Sequence, residues 1–456
     1  MIVMKFGGSS VESAAAIERV AGIVRDRVHL NPIVVVSAMG KTTNKLLAIA
    51  ALAAEGNQRE ALSALEELKD FHRLEASKAI RPEDQATLPI LLDSHFNELA
   101  GYVADIALVE EFSPAMVDAV SALGERLSSQ IVTFAFRHYG IDATHLDSRS
   151  VIITDSRHTQ AAPLFKPTYQ RLGDTIPPMA LSKVVVMGGF IGSSGNGVTT
   201  SLGRGGSDYT ASIVGAGIGA AEIQIWTDVD GMLTSDPTIL PGGHRVKRIS
   251  FAEAAELAYF GAKVLHPATV QPAIEKNIPV LILNSRRPQV DGTRITSEPV
   301  PCRNIIKSIA CKRNITVVRI QSLRMLMAHG FLRRIFEVFD RFETPVDMLS
   351  TSEVSVSLTI DNPKHLDAIR EELTRFADVN IETGRAIICL VGDNIRGAKG
   401  AGARIFKALK DTNVLMVSQG SSQLNFGLVV PQEELQAAVQ SLHTEFFSEL
   451  DPEVFA

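Results

Sequence analysis

The sequence predicts an α/β protein with a mainly parallel central sheet, followed by two ferredoxin-like β-α-β-β-α-β units. Short runs rich in β-branched residues alternate with helical segments over residues 1–300, which is typical of a parallel sheet covered by helices on both faces. A different rhythm of strands and helices begins near residue 305. That rhythm then recurs, and Arg-Ile-Phe occupies the same place in both copies, at 334–336 and 404–406.

The strands of the first part are predicted from unbroken apolar runs. Their positions are 2–6, 32–36, 184–187, 223–227 and 280–283. A helix is expected from the turn at 7–10 through residue 28, and 44–101 is predicted to be helical because Ala, Leu and Glu dominate it. Sheets of this kind bind ligands at loops beyond the carboxyl ends of their strands, so we expect the site there.

The repeated part is read as two units of strands and helices. The first has strands at 315–320, 346–350, 354–360 and 379–381 and helices at 331–342 and 365–376. The second has strands at 386–391, 414–418 and 426–430 and helices at 404–410 and 433–447. It lacks one strand, which residues 307–311 would supply if the first unit is inserted within the second. The alternative is the shorter run 453–455. Our predicted boundaries are 1–300 for the first domain, 313–384 for the inserted unit, and 301–312 with 385–456 for the other.

Composition excludes several classes of protein. A net charge of −6 over 456 residues gives no sign of nucleic-acid binding, and no apolar run approaches the ~18 residues of a membrane span. The three cysteines lack metal-ligand spacing, so we expect unpaired thiols in a reducing cytoplasm. The chain opens directly into an apolar strand, and we therefore expect no signal or transit peptide.

The most informative motif is Gly-Arg-Gly-Gly-Ser-Asp at residues 203–208. Glycines let backbone N–H groups approach an anion closely, and the helix that follows directs its positive end at the same point. Arg204, which the sequence suggests is buried, adds a planar fork suited to a carboxylate or phosphate. The motif therefore predicts a site for small anionic molecules.

Other motifs lie at predicted strand ends or helix starts. They are Lys-Phe-Gly-Gly-Ser at 5–9, Ser-Ala-Met-Gly-Lys-Thr-Thr at 37–43, Leu-Gly-Glu at 123–125, Thr-Asp-Val-Asp-Gly at 227–231 and Gly-Ala-Lys-Val-Leu-His-Pro at 261–267. Each alone also fits an ordinary capped turn or a solvated charge, and His266 is interpreted as structural. Residues 40–42 lack the upstream glycine of a phosphate-binding P-loop. Together, however, these motifs could converge on one edge of one sheet.

In this order the motifs resemble those of the aspartokinases, over essentially the whole chain and most closely the monofunctional, lysine-sensitive kind. The resemblance implies the three-layer amino-acid kinase fold followed by two ACT regulatory units. It implies phosphorylation of L-aspartate by ATP, with Mg²⁺ carried on the nucleotide, to give 4-phospho-L-aspartate. It also implies a homodimer or a dimer of dimers.

The resemblance assigns roles to particular residues. Catalytic roles fall to Lys5, Asp208 and Lys263. Contacts with aspartate fall to Ser37, Thr43, Glu125, Arg204, Gly205, Gly206 and Ser207, with Arg204 on the α-carboxylate and Glu125 on the ammonium. Contacts with the nucleotide fall to Lys5, Phe6, Gly7, Gly8, Ser9, Thr227, Asp228, Lys263 and Val264. Leu233 and Thr238 depart from the common family pattern, so no nucleotide contact is assigned to them.

The chemistry explains why no histidine base stands out. The β-carboxylate of aspartate has a pKa of roughly 4 and is already ionised at neutral pH, so its attack needs no general base. The task is to bring two anions together, which lysines, arginine, glycine N–H groups and Mg²⁺ can do.

The resemblance also implies an amino-acid effector, lysine or possibly threonine, bound by the first ACT unit. The corresponding residues are Met325, Gly330, Phe331, Leu332, Asp347, Thr351, Ser352 and Glu353. Asp347 would supply the charge for an amino group. Ala328 replaces a serine of some lysine-sensitive relatives, which leaves the identity of the effector open between the two amino acids.

Overall fold

The structure is a computed structural model that describes residues 1–261, 267–322, 329–420 and 422–456. The chain divides into two compact units, one made of Met1–Gly231 and Leu265–Ser297, the other of Met232–Val264 and Glu298–Ala456. None of the described helices is long and apolar enough to cross a membrane.

The strands are numbered in chain order. They are β1 Ile2–Phe6, β2 Pro32–Val36, β3 Ala143–Leu146, β4 Ile153–Thr154, β5 Val184–Gly188, β6 Ile191–Ser194, β7 Thr199–Ser201, β8 Ile223–Thr227, β9 Arg248–Ser250, β10 Val280–Asn284, β11 Thr293–Thr296, β12 Ser308–Gln321, β13 Leu349–Thr351, β14 Ser355–Ile360, β15 Asp378–Val391, β16 Met416–Ser418 and β17 Asn425–Pro431.

The helices are numbered in the same way. They are α1 Ala14–Arg25, α2 Thr42–Ala54, α3 Gln58–Lys78, α4 Thr87–Val109, α5 Pro114–His138, α6 Phe165–Ala180, α7 Gly206–Ile218, α8 Phe251–Tyr259, α9 Gln271–Glu275, α10 Phe331–Arg341, α11 Leu366–Thr374, α12 Ala401–Ala408 and α13 Leu435–Phe447.

The first unit is built on a mainly parallel sheet. Its strands follow the order β3-β5-β2-β1-β8-β10-β11, and only the pairing of β10 with β11 in this series is antiparallel. All five residues of β1, β2 and β5 are buried, as their unbroken apolar sequences predict. The carboxyl ends of β1, β2, β5 and β8 therefore meet at one edge.

The helices of the first unit cover this sheet. The continuous helical segment predicted over 44–101 is wrong in detail, because the chain breaks into α2, α3 and α4. Gly56, in a left-handed conformation with φ of 81°, separates the first two of these helices. A second sheet of the order β4-β6-β7 leads into α7.

The second unit contains a six-stranded sheet in the order β13-β14-β12-β15-β17-β16. Two pairs of predicted strands are single long strands here. Residues 308–311 of the predicted strand 307–311 fall on β12 together with 315–320, and 379–381 and 386–391 fall on β15. Asn314 and Gly384, both at positive φ, mark the points at which the sequence suggested a break.

Pairing within this sheet changes along its two long strands. The first half of β12 pairs with the second half of β15, from Ser308 opposite Val391 to Lys312 opposite Ile387. The second half of β12 pairs with β14 on one side and with the first half of β15 on the other. Residues 453–455 form no strand, and Phe455 makes an isolated bridge to Val246. The domain boundaries given above stay a prediction.

Candidate active site

A cavity of about 510 Å³ lies at the carboxyl ends of β1 and β2 in the first unit. It brings together ten of the residues predicted for catalysis and substrate or nucleotide binding: Lys5, Gly8, Ser37, Thr43, Glu125, Arg204, Gly205, Gly206, Ser207 and Asp208. Convergence of these residues follows from the parallel sheet, because each belongs to an element that begins or passes at the same edge.

Lys5 is held at this edge by an ion pair. Its Nζ atom lies 2.7 Å from Asp208 Oδ1, and both side chains are less than one-fifth exposed. Asp208 belongs to the first turn of α7, where a carboxylate also meets the positive end of the helix. The pair therefore fixes the lysine ammonium at the wall of the cavity.

The glycine turn after β1 packs against the turn after β2. A Cβ atom on Gly8 would lie 2.9 Å from the carbonyl oxygens of Ala38 and Gly40, so no larger residue fits. The Gly7 N–H donates to the Trp226 carbonyl at 3.2 Å, so this hydrogen bond already uses its proton. Phe6 is fully buried, so its side chain forms part of the core.

Glu125 lies in the middle of α5, and its predicted position at a helix start is wrong. The preceding residue has to be glycine, because a Cβ atom on Gly124 would lie 2.8 Å from the Ala38 Cβ. The Glu125 residue is 4% exposed. Its Oε1 accepts from the Ala38 N–H at 3.2 Å, and its Oε2 has no hydrogen-bond partner among the described residues. Burial raises the pKa of Glu125 to about 8.

The loop that carries Arg204 depends on its glycines. Gly203 and Gly205 adopt left-handed conformations with φ of 75° and 72°, and a Cβ on Gly206 would lie 2.7 Å from the Phe190 ring. Arg204 itself is exposed, so its predicted burial is wrong. It lies between Gly203 and Gly205 and is one of the residues that line the cavity.

One wall of the cavity is organised by a carboxylate that the sequence analysis missed. Asp118 lies on α5 seven residues before Glu125 and is fully buried. It accepts hydrogen bonds from the Thr159 N–H at 3.0 Å, from His158 Nδ1 at 2.7 Å and from the Ser201 hydroxyl. The available signal was its spacing of seven residues, two helical turns, before Glu125.

The other residues predicted to contact the nucleotide either do not line the cavity or lie outside the described residues. Thr227 is the last residue of β8 and Asp228 follows it, and the Thr227 hydroxyl donates to Asp228 Oδ1 at 3.2 Å. Lys263 and Val264 are not among the described residues, and neither are His266 and Met325. Ser9 lies in the 3-10 turn after β1, beside Gly8.

The predicted effector residues of the second unit surround the strands β13 and β14. Gly330 caps α10, Phe331 packs into the core of that sheet and Leu332 is 39% exposed. Thr351, Ser352 and Glu353 are exposed where β13 turns into β14.

Asp347 is the buried member of this group. Its side chain is 5% exposed, and its Oδ1 lies 2.6 Å from Lys312 Nζ. Burial raises the pKa of Asp347, while the hydrogen bond from Lys312 opposes this shift. The Lys312 ammonium also lies 4.8 Å from the centre of the Tyr259 ring.

Comparison with known proteins finds family models and relatives that match this chain. The amino acid kinase family model matches residues 1–284, and an ACT domain model matches residues 388–446. The chain is 38% identical to aspartokinase 1, chloroplastic, of Arabidopsis thaliana, over 98% of this chain and 80% of the relative. It is 35% identical to lysine-sensitive aspartokinase 3 of Escherichia coli K12, over 98% of this chain and 99% of that one. The chain belongs to the aspartokinase family.

Solved structures of this family match the same fold. E. coli aspartokinase III in complex with aspartate and ADP (R-state) matches with a TM-score of 0.82 and 34% identity, over 98% of this chain and all of that one. The same enzyme in complex with lysine and aspartate (T-state) matches with a TM-score of 0.84. The predicted family and fold class are confirmed, and family membership makes this chain an aspartate kinase that uses a nucleotide.

Proposed function

We propose that the cavity binds L-aspartate and the terminal phosphate of ATP and produces 4-phospho-L-aspartate and ADP, the first step towards lysine, threonine and methionine. The observation that carries this proposal is the presence of both Glu125 and Arg204 in a cavity that also holds the Lys5–Asp208 pair. A carboxylate and a guanidinium are the two groups needed to bind the ammonium and α-carboxylate of an amino acid.

The two ends of the substrate would then be held by opposite charges. Arg204 would bind the α-carboxylate and Glu125 the ammonium, with Ser37, Thr43 and Ser207 as hydroxyl contacts. This leaves the β-carboxylate free near Lys5 and the first turn of α7. Lys5 and the N–H groups of Gly8 and Ser9 would neutralise phosphate oxygens, and Lys263, Thr227 and Asp228 would complete the nucleotide contacts.

The reaction then consists of one displacement. A bond forms between a β-carboxylate oxygen and the γ-phosphorus, while the bond from this phosphorus to the oxygen bridging to ADP breaks. No proton has to move, because the attacking carboxylate is ionised and ADP leaves as an anion. Fixed charges are therefore the main contribution that these residues make.

In this proposal a magnesium ion would arrive with the nucleotide. The described residues contain no group of three or more acidic, histidine or cysteine side chains that could hold a metal ion by itself. Mg²⁺ bound to the phosphates would neutralise the charge that develops on them. Asp208 and Glu125 are the carboxylates that line the cavity, and Asp208 is engaged by Lys5.

We further propose feedback regulation through residues 313–384 as an inserted ACT unit, with 301–312 and 385–456 forming the second. Lysine is the expected effector and threonine the alternative. The buried Asp347 carboxylate suits the amino group of either. The lysine-sensitive E. coli relative supports lysine. Assembly as a homodimer or dimer of dimers would cover the fully exposed edge strand β13.

Trapping the product with hydroxylamine tests the activity directly. With ATP and aspartate, we expect a hydroxamate, with little from glutamate, and we expect lysine to suppress it more than threonine. A protein that produces no hydroxamate from aspartate would contradict the proposed reaction and favour a non-catalytic amino-acid sensor. Preference for glutamate would favour another amino-acid kinase.

Arg204→Ala provides a second test of the substrate's orientation. Loss of a charged pair is expected to cost about 2–4 kcal/mol, seen as a higher KM for aspartate. The KM for ATP should change little. An unchanged KM for aspartate would show that Arg204 does not hold the substrate.

A further inference from the structure

The hydrogen-bond network of Asp118 determines what Ser201 can offer to a ligand. Asp118 is fully buried, and an ionised carboxylate can only accept hydrogen bonds. The Ser201 hydroxyl donates to Asp118 Oδ1, and Ser201 also lines the cavity. A hydroxyl has one proton and two lone pairs, so Ser201 Oγ presents only acceptor capacity towards the cavity.

The same carboxylate fixes the segment facing Ser201. The Thr159 N–H donates to both Asp118 oxygens at 3.0 Å, and Thr159 holds a left-handed conformation with φ of 68°. The Ala161 N–H donates to the Ser201 carbonyl at 2.9 Å. Asp118 thus connects α5, the 158–161 segment and β7 immediately before the Arg204 loop.

A steric contact ties this network to the loop. A Cβ on Gly203 would lie 3.2 Å from the Thr159 carbonyl oxygen, so the backbone of the Arg204 loop rests against the segment that Asp118 holds. Thr159 and Ser201 both line the cavity. Asp118 itself has no exposed surface, which makes it a positioning residue rather than a catalytic one.

We propose that Ser201 is a further substrate-binding residue, which accepts a hydrogen bond from the ammonium of the amino-acid substrate because Asp118 takes its only proton. This inference rests on the proposed function, since it assumes that aspartate occupies the cavity. It assigns Ser201 and Glu125 to the same ammonium. It also makes Ser201 a determinant of specificity for substrates with a free, protonated amino group.

The test compares two ligands that differ only in that ammonium. Succinate has the two carboxylates of aspartate and lacks its amino group, so its Ki as a competitor of aspartate reports the rest of the cavity. Ser201→Ala is expected to raise the KM for aspartate about tenfold, as for the loss of one hydrogen bond to a charged group. The Ki for succinate and the KM for ATP should stay within about twofold of wild type.

Three further variants make the test specific. Ser201→Thr keeps the hydroxyl and should recover most of the aspartate affinity. Asp118→Asn should weaken aspartate binding more than succinate binding, because the amide cannot accept from all three donors. Ser193→Ala removes a buried hydroxyl on β6 that bonds to the Arg149 carbonyl, and it serves as the matched control outside the cavity.

The outcomes separate this inference from the proposed function. If wild type forms aspartyl hydroxamate but folded Ser201→Ala keeps its KM for aspartate, only the role of Ser201 is overturned. An equal weakening of aspartate and succinate also overturns it, because the serine would then only shape the cavity. A wild-type protein without aspartate-dependent activity overturns both.

Discussion

Two buried carboxylates, Glu125 in the first unit and Asp347 in the second, are each expected to receive an ammonium, yet their surroundings differ. Asp347 already has a cation, since Lys312 Nζ lies 2.6 Å from its Oδ1. Glu125 has one N–H donor and, among the described residues, no ion pair. Burial raises the pKa of both, and that of Glu125 reaches about 8.

The difference indicates two modes of binding. At Glu125 the ligand itself would supply the missing positive charge, so binding favours ionisation of the carboxylate. At Asp347 an incoming ammonium has to replace Lys312 or share the carboxylate with it. The first arrangement favours high affinity for the substrate. In the second, competition from Lys312 lowers the affinity for the effector, so a higher effector concentration is needed.

The largest expected effect is on stability without ligand. The pKa of Glu125 is about 8 in the folded protein against 4.5 as its ordinary value. The folded chain therefore keeps a proton that the unfolded chain releases between these values. This stabilising contribution is complete below the lower pKa and is lost as the pH rises towards the upper one, by up to about 1.4 kcal/mol per pH unit.

Urea unfolding at several pH values between about 5 and 8 measures this slope. Glu125→Gln cannot titrate, so the wild-type stability should fall relative to that of the variant as the pH rises. Parallel curves for the two proteins would contradict an uncharged Glu125. Asp347→Asn is the comparison in the other unit, where the Lys312 hydrogen bond opposes the effect of burial.

The next effect is on substrate binding. Glu125→Gln keeps an oxygen that can accept from the Ala38 N–H but removes the charge, so the KM for aspartate should rise by about 100-fold. The KM for ATP should change little. A change below about twofold in the KM for aspartate would mean that the ammonium lies elsewhere.

A smaller effect is expected at the effector site. Lys312→Met removes the internal cation and leaves Asp347 available, so lysine should inhibit at a concentration about tenfold lower. The half-inhibitory concentration in the hydroxamate assay measures this. Lys312 also contacts the half-exposed Asp361 at 3.3 Å, and Asp361→Asn, as the control, should change inhibition little. Weaker inhibition of Lys312→Met would show that Lys312 supports effector binding instead.

The smallest expected change is the change in kcat when Asp347 is replaced. Asp347→Ala should abolish inhibition by lysine while leaving kcat within about twofold of wild type, because its described contacts all lie in the second unit. Measuring kcat without effector and the inhibition curve on the same preparation checks both. Loss of kcat together with inhibition would contradict a purely regulatory role.

The sequence predicted which residues line the cavity better than it predicted their burial and hydrogen bonds. Strand ends of a parallel sheet converge, which is why the approach of Lys5 to Asp208 follows from the pattern. The two glycines Gly124 and Gly384 have different roles: Gly124 allows a close contact within a helix, and Gly384 lies within a strand, between two segments predicted as separate strands. The Asp118 network was not predictable, because its donors come from segments about forty and eighty residues away.

The two long strands β12 and β15 affect how the sheet of the second unit unfolds locally. Each runs through both halves of the six-stranded sheet, so their shared ladder extends from Ser308 opposite Val391 to Gln321 opposite Asp378. If β12 and β15 separate in one half of the sheet, backbone N–H and C=O groups in the other half also become exposed. Amide protons along the whole ladder should therefore exchange with solvent as one cooperative group, and a ligand that stabilises one half would slow exchange in both.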